Sequence, residues 1–215
     1  MYMQDLFEFI KQYPVRSYDK GQTVFSSTEI CSTALVISTG YAKVTTTDGS
    51  YNEQTLWIAG RSDVVPSEQL FSKNTKLVFS YTALSPMTVF QIPKVDFLKF
   101  IDENRLAMKE VARGMSGHYD DLMYRLSSVT QASAREKLVY TLHNLAERFS
   151  ASEEVDLIDL GLDITHQDIA GLMHASRETA SIELNKLRDE GAIHYDRHSF
   201  IVYRSKLRQI LDPLN

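Results

Sequence analysis

Few side chains in this 215-residue chain have the types and spacing that covalent or metal chemistry requires. Cys31 is the single cysteine, which excludes an internal disulfide and any cluster held by several thiolates. No Ser-His-Asp order, paired carboxylates or phosphate-binding loop is recognisable, and Glu68 is a lone carboxylate in a turn beside Pro66. We therefore expect no catalytic site, no metal and no cofactor, and we interpret Cys31 as a buried, inert thiol rather than a redox sensor.

Polar side chains suited to hydrogen bonding are concentrated in residues 163–193, where a break joins two short helical patterns. Thr165 can N-cap the first helix, with Asp168 in its first turn, and Ser176 can N-cap the second. Gly191 follows where a helix end favours a left-handed residue. A short helix, a tight turn and a longer helix with a polar first turn are typical of a helix-turn-helix that binds DNA. An ordinary surface helical hairpin is the alternative.

The second of these helices has two different faces. Ala180, Leu184 and Leu187 recur at helical spacing and are expected to pack on the first helix. Packing on that face leaves a second face turned away from the core. It comprises Arg177, Glu178, Ser181, Ile182 and Asn185.

The segments that must position this helix pair change in character along the chain. Residues 1–13 favour a short amphipathic helix. From Val15 to about Ile92, short β-branched and aromatic runs alternate with turns such as Thr39-Gly40 and Asp48-Gly49. Such a pattern indicates a sandwich or small barrel. The predicted strands cover residues 23–25, 34–38, 41–46, 53–58, 77–84 and 88–92.

From Lys94 the apolar period becomes helical, with Pro93 starting one helix and Asn104 capping the next. Within residues 105–129, apolar side chains recur in alternating steps of four and three, which predicts a coiled-coil contact with a second copy of the chain. Packing on the chain's own barrel is the alternative. The predicted dimer interface comprises Met108, Ala112, Met115, Tyr119, Leu122, Leu126 and Val129.

A new helix is predicted after Ser133, because Ser133 and Glu136 form a capping-box pattern. Residues 155–158 suggest a small hairpin, residues 193–195 and 200–203 a β-hairpin wing, and residues 205–211 a final helix. We accordingly divide the chain into a sensor domain (1–104), a dimerisation helix with its hinge (105–132) and a DNA-binding domain (133–215).

Composition excludes several classes of protein. The chain is 43% hydrophobic and 24% charged, as in soluble globular proteins, and it has no apolar run of the roughly 20 residues that span a bilayer. Its N-terminus lacks a signal-peptide pattern, so we expect a cytoplasmic protein without membrane contact. The net charge of −5 is unfavourable for DNA binding, which depends on phosphate neutralisation. Basic residues near the C-terminus nevertheless include Arg177, Lys186, Arg188, Arg197, Arg204, Lys206 and Arg208.

A barrel, a long helix, a capped hinge and a winged helix, in this order, resemble the cyclic-AMP receptor protein (CRP/FNR) family of bacterial transcription regulators. ITHQDIAGLMHASRETASIELNKLRDEGAI, at residues 164–193, resembles the family most strongly, and LVISTGYAKV in the barrel less specifically. The resemblance implies an α+β chain with an N-terminal antiparallel β-roll (a jelly roll of the cyclic-nucleotide-binding kind), a long dimerisation helix and a C-terminal winged helix-turn-helix. It implies a homodimer on palindromic double-stranded DNA, with RNA polymerase as a further partner.

The resemblance also implies which residues contact DNA. Arg177, Glu178, Ser181 and Ile182 lie at positions that read bases: an arginine fork fits guanine, and a carboxylate accepts from cytosine. Ile182 departs from the family, which often has a polar reader there, so the target sequence is left open. Phosphate contacts are implied for Thr165, His166, Gln167, Ser176, Thr179, Lys186, Arg197 and His198.

The effector region departs from the family pattern. Members that bind cyclic nucleotides have a Gly-Glu pair, followed by an Arg-Ser or similar pair that holds the phosphate. Here these regions read Val65-Pro66-Ser67-Glu68-Gln69 and Leu77-Val78, and two apolar residues cannot neutralise a phosphate. Leu122-Met123 replaces the Thr-Ser pair that contacts the base. We expect an effector other than cyclic AMP, with an uncharged small molecule, a partner protein or no effector left open.

Other effector chemistry fits the chain no better. One cysteine does not suffice for an iron–sulfur cluster, and we interpret His118 and His143 as ordinary polar histidines rather than haem ligands. The acidic balance and Ile182 leave a second hypothesis open. In it, the chain is a ligand- or protein-binding module whose winged helix no longer reads DNA.

Overall fold

The computed structural model describes residues 6, 8–47, 53–73, 77, 79–128, 133–150, 155–196 and 200–211. Its strands are β1 (Val15–Tyr18), β2 (Thr23–Phe25), β3 (Thr33–Thr39), β4 (Ala42–Thr47), β5 (Glu53–Ala59), β6 (Val64–Val65), β7 (Ser80–Ala83), β8 (Met87–Pro93), β9 (Leu157–Asp159), β10 (Ile193–Tyr195) and β11 (Phe200–Tyr203). Its helices are α1 (Ser67–Leu70), α2 (Lys94–Glu103), α3 (Arg105–Ser128), α4 (Ala134–Phe149), α5 (His166–Leu172), α6 (Arg177–Asp189) and α7 (Arg204–Leu211). The chain divides into two compact units, residues 1–120 and 121–215.

The N-terminal unit is built on two four-stranded antiparallel sheets, ordered β1-β8-β3-β6 and β2-β7-β4-β5. Alternate side chains of β7 are buried, because successive residues of a strand point to opposite faces. Tyr81, Ile37, Ile58 and Met87 are among the largest fully buried side chains. The predicted antiparallel β-roll is confirmed.

The structure corrects the strand prediction at three places. Residues 77–84 were predicted as one strand, but only Ser80–Ala83 is a strand. Leu77 is buried without belonging to a strand, and its amide donates to the carbonyl of Glu29 at 3.0 Å. β1 and β6 were not predicted, since most of β1 is exposed and β6 has two residues. The predicted Asp48-Gly49 turn lies outside the described residues.

Gly40 makes the turn between β3 and β4, as its sequence context predicts. Its φ is +80°, which favours glycine. A Cβ at this position would lie 2.3 Å from the carbonyl oxygen of Pro86 and 2.6 Å from the Cβ of Met87. The turn therefore requires glycine for its conformation and for the close approach of the neighbouring backbone.

Helix α3 begins at the predicted cap. The side-chain Oδ1 of Asn104 accepts from the amides of Leu106, at 3.1 Å, and Ala107, at 3.0 Å. These bonds satisfy two donors that have no partner inside the helix. Within the described ranges, no helix is both long and apolar enough to cross a membrane.

The apolar residues along α3 have two environments in the single chain. Met108, near the start of the helix, is partly buried against the core of the roll, as the alternative packing on the chain's own barrel predicts. Tyr119, Leu122 and Leu126 are exposed over 54–64% of their surface, and Met115 over 37%. Ala112 is also exposed, and Val129 lies outside the described residues.

The C-terminal unit packs α4, α5, α6 and α7 around a core that includes Leu138, Leu142 and Leu184. The capping box that starts α4 is confirmed, because the Ser133 hydroxyl accepts from the Glu136 amide and the Glu136 carboxylate accepts from the Ser133 amide. The predicted division at residues 104 and 132 differs from the division of the contacts between residues 120 and 121, and it stays a prediction.

The wing is larger than the sequence predicted. Strands β10 and β11 form the expected antiparallel hairpin, and β9 adds a third strand through the pairing of Ile158 with Val202. The expectation of a small local hairpin at residues 155–158 is therefore wrong in the described residues, since this segment pairs across the fold. The final helix begins at Arg204, one residue earlier than predicted.

Candidate nucleic-acid interface

The first helix of the pair, α5, is held by a reciprocal cap. The Thr165 Oγ1 accepts from the Asp168 amide at 3.1 Å, and the Asp168 carboxylate accepts from the Thr165 amide at 3.0 Å. The Thr165 hydroxyl also donates to Asp168 at 2.6 Å. Since its proton is used inside the protein, a contact of Thr165 with phosphate must compete with the cap.

The turn between α5 and α6 is short. His174 has a φ of +50°, and the amide of Ala175 donates to the Ala170 carbonyl at 2.9 Å. Ser176 then caps α6, since its Oγ accepts from the Thr179 amide at 3.1 Å. The predicted break and both predicted caps therefore lie at the expected residues.

Helix α6 has the two faces that its periodicity predicts. Ala180, Leu184 and Leu187 are buried against the rest of the unit. Arg177 and Glu178 are exposed in the first turn, and 56% of the Ile182 surface is exposed one turn later. Side chains of contrasting chemistry therefore lie on one accessible face.

Ser181 is less accessible than the other predicted base readers. It is half-buried, and its Oγ lies 2.8 Å from the Nδ1 of His166 on α5. The hydrogen bond joins the two helices of the pair. A contact of Ser181 with a base therefore requires the serine to share or exchange this bond.

His166 is a predicted phosphate contact whose environment disfavours its charged form. Burial, and then the nearby Arg177 guanidinium, lower the pKa of the imidazole. In the free protein His166 is therefore mostly neutral at pH 7, and as a neutral ring it contacts phosphate by hydrogen bonding rather than as a cation.

Glu178 has the opposite bias, toward its charged form. Its own backbone amide and the Ser176 hydroxyl donate to the carboxylate and lower its pKa. The side chain is therefore an acceptor at neutral pH. Such an acceptor fits the amino group of a cytosine in the major groove.

Lys186 lies on the exposed side of α6, where its ammonium pairs with Glu183 at 2.7 Å. Glu183, for which the sequence predicted no role, is buried on the inner side of the helix. Of the other predicted phosphate contacts, Gln167 and Ser176 are exposed and Thr179 is half-buried. The predicted contacts Arg197 and His198, at the wing tip, lie outside the described residues.

Tyr195, on β10, was missed by the sequence reading. Its hydroxyl donates to the Asn185 Oδ1 at 3.2 Å, and its ring lies edge-on to the His166 ring, with centroids 5.3 Å apart. It also stacks on Phe200, with centroids 5.4 Å apart. One residue thus contacts α5, α6 and the second wing strand. The only local signal is an aromatic residue on the inward face of a short strand.

In the region of the roll where the effector pattern is lost, Glu68 is hydrogen-bonded within the chain. The buried Tyr81 hydroxyl donates to the carboxylate of Glu68, and burial followed by Glu68 raises the pKa of Tyr81. Leu77 is buried. Cys31 is also buried, as expected, and burial raises the pKa of its thiol. The carboxylate therefore already has an internal donor in the described residues.

Two domain families match this chain. Residues 15–104 match the cyclic nucleotide-binding domain, and residues 136–210 match the Crp-like helix-turn-helix domain. The first match covers all eight described strands of the roll, and the second covers the helix pair and the wing.

Relatives with assigned functions match nearly the whole chain at low identity. The anaerobic regulatory protein of Bacillus subtilis (strain 168) is 23% identical over 203 residues, which are 94% of this chain and 85% of that protein. The cAMP-activated global transcriptional regulator CRP of Pasteurella multocida (strain Pm70) is 21% identical over 198 residues, which are 92% of this chain and 94% of that protein.

Solved structures share the fold. FixK2 from Bradyrhizobium japonicum superposes with a TM-score of 0.76 at 15% identity, over 92% of this chain and 96% of that chain. The c-di-GMP responsive global regulator CLP of Xanthomonas campestris superposes with a TM-score of 0.71 at 18% identity, over 94% of this chain and 99% of that chain. Proteins of this family regulate transcription and are not enzymes. With both domains in family order and a helix-turn-helix DNA-binding domain, the chain belongs to the CRP/FNR family of transcription regulators.

Proposed function

We propose that this regulator is a homodimer that inserts residues 177–188 of α6 into the major groove of a palindromic DNA site. The observation that carries the proposal is the division of α6 into two faces. Ala180, Leu184 and Leu187 anchor the helix, while Arg177 and Glu178 are exposed in its first turn. The first turn of a recognition helix is the part that reaches base edges.

Each exposed side chain suits a different base. Arg177 can donate two hydrogen bonds to guanine O6 and N7, and ionised Glu178 can accept from cytosine N4. Ile182 offers only apolar surface, which suits the methyl group of thymine. Sequence preference is therefore proposed to come mainly from Arg177 and Glu178, with Ile182 favouring an A·T pair.

The dimer is supported by the exposed apolar stripe on α3. Tyr119, Leu122 and Leu126 recur at coiled-coil spacing and are more than half exposed in the single chain. Burying them against a second copy removes apolar surface from water, at about 25 cal/mol per Å². Two-fold symmetry about this helix then requires half-sites about one helical turn of DNA, or roughly 34 Å, apart.

We propose further that cyclic AMP is not the effector. Leu77-Val78 stands in place of the family's phosphate-holding pair, and Glu68 is hydrogen-bonded to Tyr81; both observations support this. In this proposal the protein acts in the cytoplasm, where the bacterial chromosome lies, and RNA polymerase is a further partner.

Selection of bound duplexes from a random pool tests the proposed DNA reading. We expect a palindromic consensus for the wild type and loss of preference at one base pair per half-site for Arg177→Ala, at a cost of about 1–3 kcal/mol. Arg105→Ala is a matched control, because Arg105 is exposed on α3 and its loss changes the net charge equally. Selected and scrambled DNA bound equally well by Arg177→Ala and wild type would refute the assignment.

Salt dependence separates this proposal from a winged helix that contacts only protein. Groove binding releases counterions, so the affinity for selected DNA should fall steeply with salt. Lys186→Gln should weaken all sequences alike and reduce the salt slope by about one. The absence of any salt-dependent binding to duplex DNA would favour the protein-binding alternative.

A further inference from the structure

A cavity of about 360 Å³ lies in the N-terminal unit, between the loop at residues 61–64 and the α3 residues 107–118. Its size is at the lower end of pockets that hold small organic ligands. Glu68, Leu77, Leu122 and Met123, which mark the family's nucleotide site, are not among its lining residues. Of residues 65–69, which correspond to the family's Gly-Glu region, only Ser67 lines the cavity. The cavity therefore borders the place where the family pattern would put a cyclic nucleotide, without including the residues that mark it.

The walls of this cavity are mostly apolar. Both sides contribute: Val64 comes from the roll, and Ala107, Val111 and Met115 come from α3. Gly114 also lines it, and an added Cβ there would meet no atom within 4 Å. An apolar group of a ligand would thus exchange water for side-chain contacts on two sides.

The charged residues at the cavity differ in whether they have a partner within the chain. Glu110 pairs with Arg113 at 2.6 Å, and the Asp63 carboxylate accepts from the Gly60 amide at 2.7 Å. Arg61 is exposed, and in the described part of the chain it has no ion-pair partner. Arg61 therefore offers a ligand an exposed cation beside the apolar surface of this cavity.

We propose that this cavity binds a small amphiphilic carboxylate. Its apolar body packs between Val64, Ala107 and Val111, and its carboxylate pairs with the Arg61 guanidinium. The ligand bridges the roll to the helix proposed to form the dimer, so its binding would bias the pose of that helix. The effect on the pose of α3 rests on the proposed function, whereas the binding of the carboxylate does not.

The chain contains its own reporter for this site. Trp57 is the single tryptophan, and its ring centroid lies 4.1 Å from that of His118, which lines the cavity. We therefore suggest following Trp57 fluorescence while full-length protein is titrated with octanoate, 1-octanol or octylamine. The three probes share an eight-carbon body and differ in charge.

Saturable binding of octanoate is expected, about fivefold tighter than that of octanol, because a partly exposed ion pair contributes up to about 1 kcal/mol. Octylamine should bind more weakly than octanol. Arg61→Gln should lose the preference for octanoate, while Arg61→Lys retains it. No saturable change with octanoate, or equal affinity for all three probes in the wild type, would overturn the proposal.

Two glycines of α3 provide a matched pair of variants that tests whether octanoate binds in this cavity. A Cβ meets no atom within 4 Å at either Gly114 or Gly117, but only Gly114 lines the cavity. Gly114→Leu should abolish octanoate binding, and Gly117→Leu should leave it unchanged. Equal retention of binding in both variants would refute this site. Because these titrations need no DNA, their outcome is independent of whether the protein reads a palindrome.

Discussion

The hydroxyl of Tyr195, on the first strand of the wing, donates a hydrogen bond to the Oδ1 of Asn185 on the recognition helix at 3.2 Å. The Arg188 guanidinium, one turn further along α6, lies 5.8 Å from the centre of the same ring. His166 meets that ring edge-on from α5. The wing, α5 and α6 are thus joined through one side chain.

We predict that the ring of Tyr195 matters more than its hydroxyl. Tyr195→Phe removes one exposed hydrogen bond and should lower the unfolding free energy by about 0.5 kcal/mol. Tyr195→Ala also removes three ring contacts and should cost about 2–4 kcal/mol. Thermal unfolding gives the stabilities, and fluorescence anisotropy with selected DNA should show a loss of affinity for the alanine variant.

Tyr203→Phe is the matched control, because the Tyr203 hydroxyl makes no hydrogen bond in the described part of the chain. It should leave both stability and DNA affinity unchanged. Wild-type DNA affinity in a folded Tyr195→Ala protein would show that the recognition helix does not depend on the wing for its position.

Two glycines in the roll should respond differently to substitution. Gly40→Ala places a Cβ 2.3 Å from a backbone carbonyl and imposes a φ of +80° on alanine, so we expect a loss of about 3 kcal/mol or more. Gly21 has a similar φ of +84° but open space around it, so Gly21→Ala should cost about 1–2 kcal/mol. Urea unfolding of the two variants measures the difference, and equal losses would argue against the close contact at Gly40.

The α3 stripe should control association. Leu122→Asp puts a charge into the proposed apolar interface and should shift the protein to a 24.5 kDa monomer in analytical ultracentrifugation. Met123→Asp is the neighbouring control, since 45% of Met123 is exposed but it lies off the stripe. A wild-type protein that sediments as a monomer at micromolar concentration would contradict the dimer.

His143 should make the C-terminal unit sensitive to acid. Its Nδ1 lies 3.9 Å from the Glu147 carboxylate, which also pairs with Arg204 Nε at 2.9 Å and Arg208 at 3.0 Å. Burial lowers the pKa of His143 from its ordinary value of 6.5, and Arg208 and Arg204 lower it further, whereas Glu147 acts in the opposite direction. The folded state therefore favours the neutral ring.

The sign of the pH effect follows from proton binding. Below about pH 6.5 the unfolded chain binds a proton at His143 more readily than the folded protein does. The contribution of His143 to the free energy of unfolding is therefore fully present above about pH 6.5, and it is lost as the pH falls below that value. His143→Gln should flatten the fall of the melting temperature as the pH decreases below about 6.5. An unchanged slope in the variant would show that other groups cause the acid sensitivity.

Much of the candidate interface was predictable because it depends on neighbours in sequence. The caps at Ser133, Thr165 and Ser176 use side chains that bond to backbone amides three residues away. The two faces of α6 follow from the helical period, which the order of residues alone specifies. The same holds for Gly40 and Gly191, whose positive φ values fit the turns expected at those points.

Contacts between distant segments were not predictable in this way. Residues 155–158 have strand-like composition, but only the folded unit pairs Ile158 with Val202. Leu77 continues an apolar run, yet apolar side chains are buried in loops as well as in strands. The bonds of His166 with Ser181 and of Tyr195 with Asn185 span 15 and 10 residues, respectively.

By itself, the sequence determined the order of the elements, the helix ends and the chemistry available to the recognition helix, because these depend on local bonding and periodicity. The tertiary structure decided which of those groups are accessible. It engages Ser181 with His166 and Glu68 with Tyr81, and it leaves Arg177, Glu178 and Ile182 exposed. It also opens a cavity between the roll and α3, which no pattern of neighbouring residues specifies. The physical reason is that burial and pairing depend on distances across the fold, whereas the sequence encodes directly only distances along the chain.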